Sequence, residues 1–295
     1  MSHTIQSYIH EDTSTFTHLL VDSGSRTCAI IDPVLGYDPK SGKTDTAFID
    51  HILSDIECRD LDLQLILETH AHADHLTSAA YIREKTGASI VIGQKIKGIQ
   101  KTFASIFNEG STFRPDGSQF DILLGDGAEL MLGDTRIKSM ATPGHTPACA
   151  SYLINDTDVF VGDTLFMPDG GSARADFPGG DARELYQSIQ KVLSLPREMR
   201  MFICHDYGPG GRDIAWETTV GEQLDHNIHV RGGTSEDDYV KMRTERDAQR
   251  TTLTQALDAW RAGREAVDAS LPGLLRRIDG GEPFGQLLLQ RTQGR

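Results

Sequence analysis

The chain has 295 residues, 38% of them hydrophobic and 24% charged, the balance of a soluble globular protein with room for one large layered domain or two small ones. Its formal net charge of −14 argues against a nucleic-acid partner, whose phosphates would be repelled. It does not exclude an anionic substrate, because a local arginine or a metal overrides the global sign.

The N-terminal stretch has neither the basic nor the apolar region of a signal peptide, and no apolar run reaches the roughly 18 residues of a membrane helix. Cys28, Cys58, Cys149 and Cys204 form no CxxC pair. Together these predict a cytoplasmic, reducing location with no membrane partner. Residues 17–21 and 28–31 read as neighbouring strands joined by a turn at Asp22-Ser23-Gly24-Ser25. Residues 45–56 place Phe48, Ile49, Ile52, Leu53 and Ile56 at helical spacing. The apolar run 63–68 is a strand that leads directly into a histidine cluster. Residues 76–86 are predicted as a helix stopped by Gly87, and 89–92 as the next strand.

The middle repeats the theme. Strands are predicted at 129–132, 136–141, 150–154, 158–161 and 201–204, and a helix at 181–193. Two sheets packed together with helices outside fit this order. From about Ser235 the chain becomes helix-prone and rich in Arg, Asp, Glu and Thr, which predicts an extension (235–295) packed on a domain spanning 1–234.

Candidate functional residues sit just past strand ends. Three imidazoles and a carboxylate fall together in His70-Ala71-His72-Ala73-Asp74-His75. Residues 70 and 72 cannot share a helix face, but they can converge from a loop at a strand end. An isolated histidine is usually a packed or exposed one; four such groups in six positions point to a transition metal. His3, His10, His18 and His51 lack neighbouring ligands and are not expected to bind metal. Asp74 and His75 are expected to open the helix at Leu76.

The HxHxDH segment resembles the signature of the metallo-β-lactamase superfamily. His145 in Pro143-Gly144-His145-Thr146, Asp163 in Val161-Gly162-Asp163-Thr164 and His205 in Cys204-His205-Asp206-Tyr207 match the later ligands in order. The resemblance covers about residues 10–230 and implies an αββα four-layer sandwich with the site at one edge. For dinuclear members it implies His70, His72 and His145 on one metal, Asp74, His75 and His205 on the other, and Asp163 between them.

Within the superfamily the chain is most similar to bacterial persulfide dioxygenases. The segments that carry this are 69–77, 163–169, Ala173-Arg174-Ala175-Asp176-Phe177-Pro178-Gly179-Gly180, 204–207 and 216–222. That family implies one Fe(II) per chain held by His70, His145 and Asp163, with glutathione persulfide oxidised by O2 to sulfite and glutathione. His72, Asp74, His75 and His205 then form a second metal site or surround the first. The resemblance also implies that Arg174 binds a glutathione carboxylate and that Tyr207 contacts substrate, and it admits a homodimer. An ordinary ion pair for Arg174 and a packed aromatic for Tyr207 stand beside those roles. The alternative is a dinuclear Zn(II) hydrolase of a glutathione thioester, lactone or related ester, as in the similar glyoxalase II. A metal-binding module without activity is a third reading. Ala175 stands where close relatives often carry Cys, and the stretch after about Arg250 departs from the family tail.

Overall fold

The computed structural model describes residues 3–110 and 112–248. In chain order its first half forms β1 (His3–His10), β2 (Thr15–Asp22), β3 (Thr27–Ile31), β4 (Val34–Asp38), β5 (Lys43–Asp45), α1 (Ala47–Cys58), β6 (Asp62–Glu68), β7 (Leu76–Thr77), α2 (Ala79–Thr86), β8 (Ser89–Gly93), α3 (Ile96–Ile106) and β9 (Ile122–Leu124). The second half forms β10 (Glu129–Leu132), β11 (Thr135–Ala141), β12 (Ala150–Ile154), β13 (Asp158–Phe160), α4 (Ala182–Leu193), β14 (Arg200–Phe202), β15 (Glu217–Thr219), α5 (Val220–His226) and α6 (Glu236–Ala248). No helix among the described residues is long and apolar enough to cross a membrane.

Two six-stranded sheets result, ordered β1-β2-β3-β6-β8-β9 and β10-β11-β12-β13-β14-β15. Strand alternation builds the layers, because successive side chains point to opposite faces. Leu20, Ala29, Ile31, Leu65, Leu67 and Val91 of the first sheet meet Ile137, Tyr152, Ile154, Phe160 and Phe202 of the second. The alternate residues Leu19, Val21, Ile30 and Ile66 face outward onto Ile49, Ile52 and Ile56 of α1 and onto α2. On the far side, Leu153, Val159 and Met201 pack against Leu185, Ile189 and Val192 of α4, Val220 of α5 and Tyr239 of α6. This is the predicted αββα sandwich.

The helix expected over 76–86 is shorter. Leu76 and Thr77 pair instead with Leu35 and Val34, and the helix starts at Ala79. The Thr77 hydroxyl explains the delay: it donates to the Glu68 carboxylate and accepts from Ala79 N at 3.0 Å, closing the turn before the helix. Asp74 and His75 therefore lie in a loop rather than opening a helix. Other boundaries shift by a residue or two; the strand expected at 201–204 is β14, so Ile203 and Cys204 lie past its end. β1, β4, β5, α3, β9, β15 and α5 were not predicted. α6 starts next to the predicted boundary at Ser235 and packs its Tyr239 ring on Tyr186 of α4 (5.4 Å between centroids). The remainder of the predicted extension, 249–295, lies outside the described residues.

Candidate metal centre

Every histidine of the predicted cluster leaves from a strand end. β6 stops at Glu68 and releases the loop of His70, His72, Asp74 and His75. His145 follows β11, Asp163 follows β13 and His205 follows β14. Two glycines let the second sheet's residues reach the site. Gly144 has φ 135°, and a Cβ there would lie 2.2 Å from the Leu185 backbone at the start of α4. Gly162 has φ 52°, and its Cβ would lie 2.5 Å from Thr69 Oγ1. A side chain at either position would push His145 or Asp163 out of place.

Five imidazoles share one design: the outer nitrogen is tethered and the inner one faces its neighbours. His70 Nδ1 donates to Thr69 Oγ1 (2.9 Å), which donates to Asp32 Oδ2 (2.9 Å). His72 Nε2 donates to Asp32 Oδ1 (3.1 Å) and lies 3.4 Å from Glu68 Oε2. His75 Nδ1 donates to Leu76 O (3.1 Å), His145 Nδ1 to Arg174 O (2.8 Å) and His205 Nδ1 to Thr15 Oγ1 (3.2 Å). On the inside, His70 Nε2, His72 Nδ1, His75 Nε2, His205 Nε2 and Asp163 Oδ1 are buried without a hydrogen-bond partner. Unpaired buried polar atoms are costly, and the convergence of these fits them to hold a cation. Tethered outer nitrogens are how proteins fix the tautomer and aim of metal-ligating histidines.

Asp163 stands at the centre. Its Oδ2 lies 3.5 Å from His145 Nε2 and 3.7 Å from His70 Nε2, while its Oδ1 lies 3.4 Å from His205 Nε2. Asp74 Oδ2 approaches the same His205 nitrogen to 3.3 Å. Donor atoms of His70, His145 and Asp163 form one group within 4.8 Å of one another. His72, His75, Cys204 and His205 form a second group, and Asp32, Glu68 and His72 a third.

Burial, and then the neighbouring imidazoles, hold His70 well below the ordinary histidine range and push His75 down to about 3. Both rings are thus neutral donors near pH 7, the form a metal requires. His72 behaves oppositely. Burial opposes its charge, but the Asp32 and Glu68 carboxylates outweigh it and hold His72 well above the usual range. Burial raises Glu68, whereas contacts with His72 and Thr69 overcome burial and lower Asp32. Burial also pushes the Cys149 thiol up to about 12 and Cys204 well above its ordinary value, so neither is a reactive thiolate.

Sequence comparison matches residues 12–205 to the model of the metallo-beta-lactamase superfamily. The chain belongs to that superfamily. A probable metallo-hydrolase of Burkholderia pseudomallei is 50% identical over 254 residues, covering 83% of this chain and 86% of that protein. Glyoxylase B2 of Dictyostelium discoideum is 44% identical, covering 80% and 82%. The human mitochondrial persulfide dioxygenase ETHE1 is 32% identical over 197 residues, covering 65% and 64%. The crystal structure of ETHE1 from Myxococcus xanthus superimposes with a TM-score of 0.66 at 28% identity, covering 90% of this chain and 99% of that one.

All seven superfamily ligand positions named from the sequence come together. The two predicted substrate residues lie at the rim. Arg174 makes a two-pronged ion pair with Asp176 (Nη2 to Oδ2 2.6 Å) and lies over the Phe177 ring, which in turn meets His145 edge-on. Tyr207 is 66% exposed, its ring parallel to His205 with centroids 6.2 Å apart. Sequence reasoning missed Asp32 and Glu68. Each left a signal: a carboxylate that closes a short apolar run, at Ile30-Ile31-Asp32 and at Leu65-Ile66-Leu67-Glu68.

Proposed function

We propose that this member of the superfamily is a persulfide dioxygenase that uses one Fe(II), held by His70, His145 and Asp163, to oxidise glutathione persulfide with O2 to sulfite and glutathione. The observation that carries this reading is the grouping of those three donors by themselves, while His72 falls in with Asp32 and Glu68 on one side and with His75, Cys204 and His205 on the other. Two imidazoles and one carboxylate leave coordination positions open, the arrangement suited to O2 chemistry on a sulfur substrate. One O2 and one water supply the three sulfite oxygens, and the glutathione thiol is the other product. Likeness to persulfide dioxygenases in sequence and fold supports the same reading.

Arg174 would receive a glutathione carboxylate by exchanging it for Asp176, since both offer two oxygens to the same guanidinium fork. Tyr207 would lie along the bound peptide. His145, its Nδ1 committed to Arg174 O, presents only Nε2 to the centre. We place the enzyme in the cytoplasm, where its four unpaired cysteines would stay reduced.

A dinuclear zinc hydrolase is the second reading. It is favoured by Asp163, whose two oxygens face different sets of imidazoles, and by the likeness to a probable metallo-hydrolase and to glyoxylase B2. The deciding experiment is O2 uptake by protein loaded anaerobically with Fe(II), with glutathione persulfide as substrate. Protein-dependent uptake with sulfite formation is expected. Iron-loaded protein that consumes no O2, with zinc-loaded protein that cleaves thioesters or lactones, would move the assignment to the hydrolase.

A further inference from the structure

α6 is a polar helix that buries only Tyr239, Arg243 and Asp247, four residues apart on one face. A buried ion pair is a weak source of stability, because desolvation offsets the attraction. Its remaining hydrogen bonds show what it does here. Arg243 Nε and Nη2 donate to Asp247 (3.0 and 2.5 Å), while Nη1 donates to Ser172 O and Ala173 O (both 3.2 Å). Asp247 Oδ2 also accepts from Ala175 N (2.9 Å). Residues 172–175 belong to no strand, so these peptide groups have no ladder of their own. In the middle of the segment, the Arg174 carbonyl accepts from His145 Nδ1.

We propose that Arg243 and Asp247 are positioning residues for the metal centre. Arg243 fixes the peptides before Arg174 and Asp247 fixes the one after it, so the Arg174 carbonyl can point only at His145. The carbonyl in turn selects the His145 tautomer with Nε2 facing Asp163. A helix outside the matched span 12–205 thereby belongs to the site. The proposal rests on His145 being a metal ligand and is independent of whether the reaction is oxygenation or hydrolysis.

The test is metal binding by the full chain, without substrate or O2. Co(II) is titrated against a competing chelator, and the visible Co(II) absorption reports ligand geometry. Asp247→Asn and Arg243→Lys are expected to weaken Co(II) roughly tenfold, as outer-partner losses do, and to change the spectrum. Arg183→Ala serves as the control. It cuts the ion pairs to Glu236 and Asp237 at the start of the same helix without touching residues 172–175, and should alter neither readout. Wild-type affinity and spectrum in Arg243→Lys would overturn the proposal even if Asp247→Asn does not fold. An equal loss in Arg183→Ala would also overturn it, since any loosening of α6 would then suffice. If His145→Ala itself kept full affinity, the reading of the site would fail first, and the proposal with it.

Discussion

The two sheets supply the metal centre in different ways. The first gives four of the seven residues from one loop after β6, and the tethers of its three histidines, Thr69, Leu76, Glu68 and Asp32, all belong to the same half of the chain. The second gives His145, Asp163 and His205 from three separate strand ends, and one of its two histidine tethers comes from the other half of the chain. Arg174 holds His145 across 29 residues, and Thr15 holds His205 across 190. One arm of the site is encoded in a short segment; the other is gathered from three strand ends, and its His205 is held only after the sheets have packed.

Replacing residues in each arm sharpens that contrast. The largest effect is expected at His70. His70→Ala should weaken metal binding by more than roughly a hundredfold, beyond the range of outer-partner losses, whereas His72→Ala should keep a metal at the His145–Asp163 pole. Titration with Fe(II) or Co(II) separates the two, and equal losses would contradict a single-metal centre. Next comes the local anchor itself. Asp32→Ala would leave His72 with Glu68 alone, the Thr69 N–H unpaired and the Thr69 hydroxyl without an acceptor, which should cost about 3 kcal/mol in urea unfolding of the metal-free protein.

The most gradual effect, spread over pH, tests the seam between the sheets. His18 is buried, its Nε2 donating to Ile203 O (3.0 Å) and its ring against Phe160 and Phe202. Burial pushes its pKa down to about 4 from an ordinary 6.5. Between those values the unfolded chain binds a proton that the folded chain does not. Stability should therefore fall as pH drops from 6.5 towards 4, by up to about 1.4 kcal/mol per pH unit. His18→Gln should flatten that slope in metal-free protein, and an unchanged slope would mean that other buried histidines dominate.

The same contrast explains what was legible in the sequence. The His70–His75 loop announced itself by density. Strands with a short continuous apolar run, such as Leu19-Leu20-Val21 in β2 and Tyr152-Leu153-Ile154 in β12, were legible because both their faces are buried, and α4 because of its apolar spacing and its Asp181 cap. β4 and β7 were not, since Leu76 and Thr77 look helical until Val34 and Leu35 arrive to pair with them. α3 was missed although Ile96 and Ile99 are buried, because its glycine and lysines dilute the pattern. His145, Asp163 and His205 were found by resemblance, since each is an isolated residue whose neighbours in space are remote in sequence. Asp32 and Glu68 show what pattern reading overlooks: a charge that ends an apolar strand marks a place where burial must be compensated.

Thr15 and His205 also form an isolated backbone bridge between the first residue of β2 in one layer and the loop past β14 in the other. An ion held by His70 on one side and by His145 and Asp163 on the other would work as a clasp across the plane along which the layers could slide. Anything that binds only the closed form raises the free energy of opening by RT ln(1 + [M]/Kd), about 2.7 kcal/mol at a hundredfold excess over Kd. The protein's resistance to shear would then track the supply of free metal around it, so that loading and mechanical closure become one equilibrium.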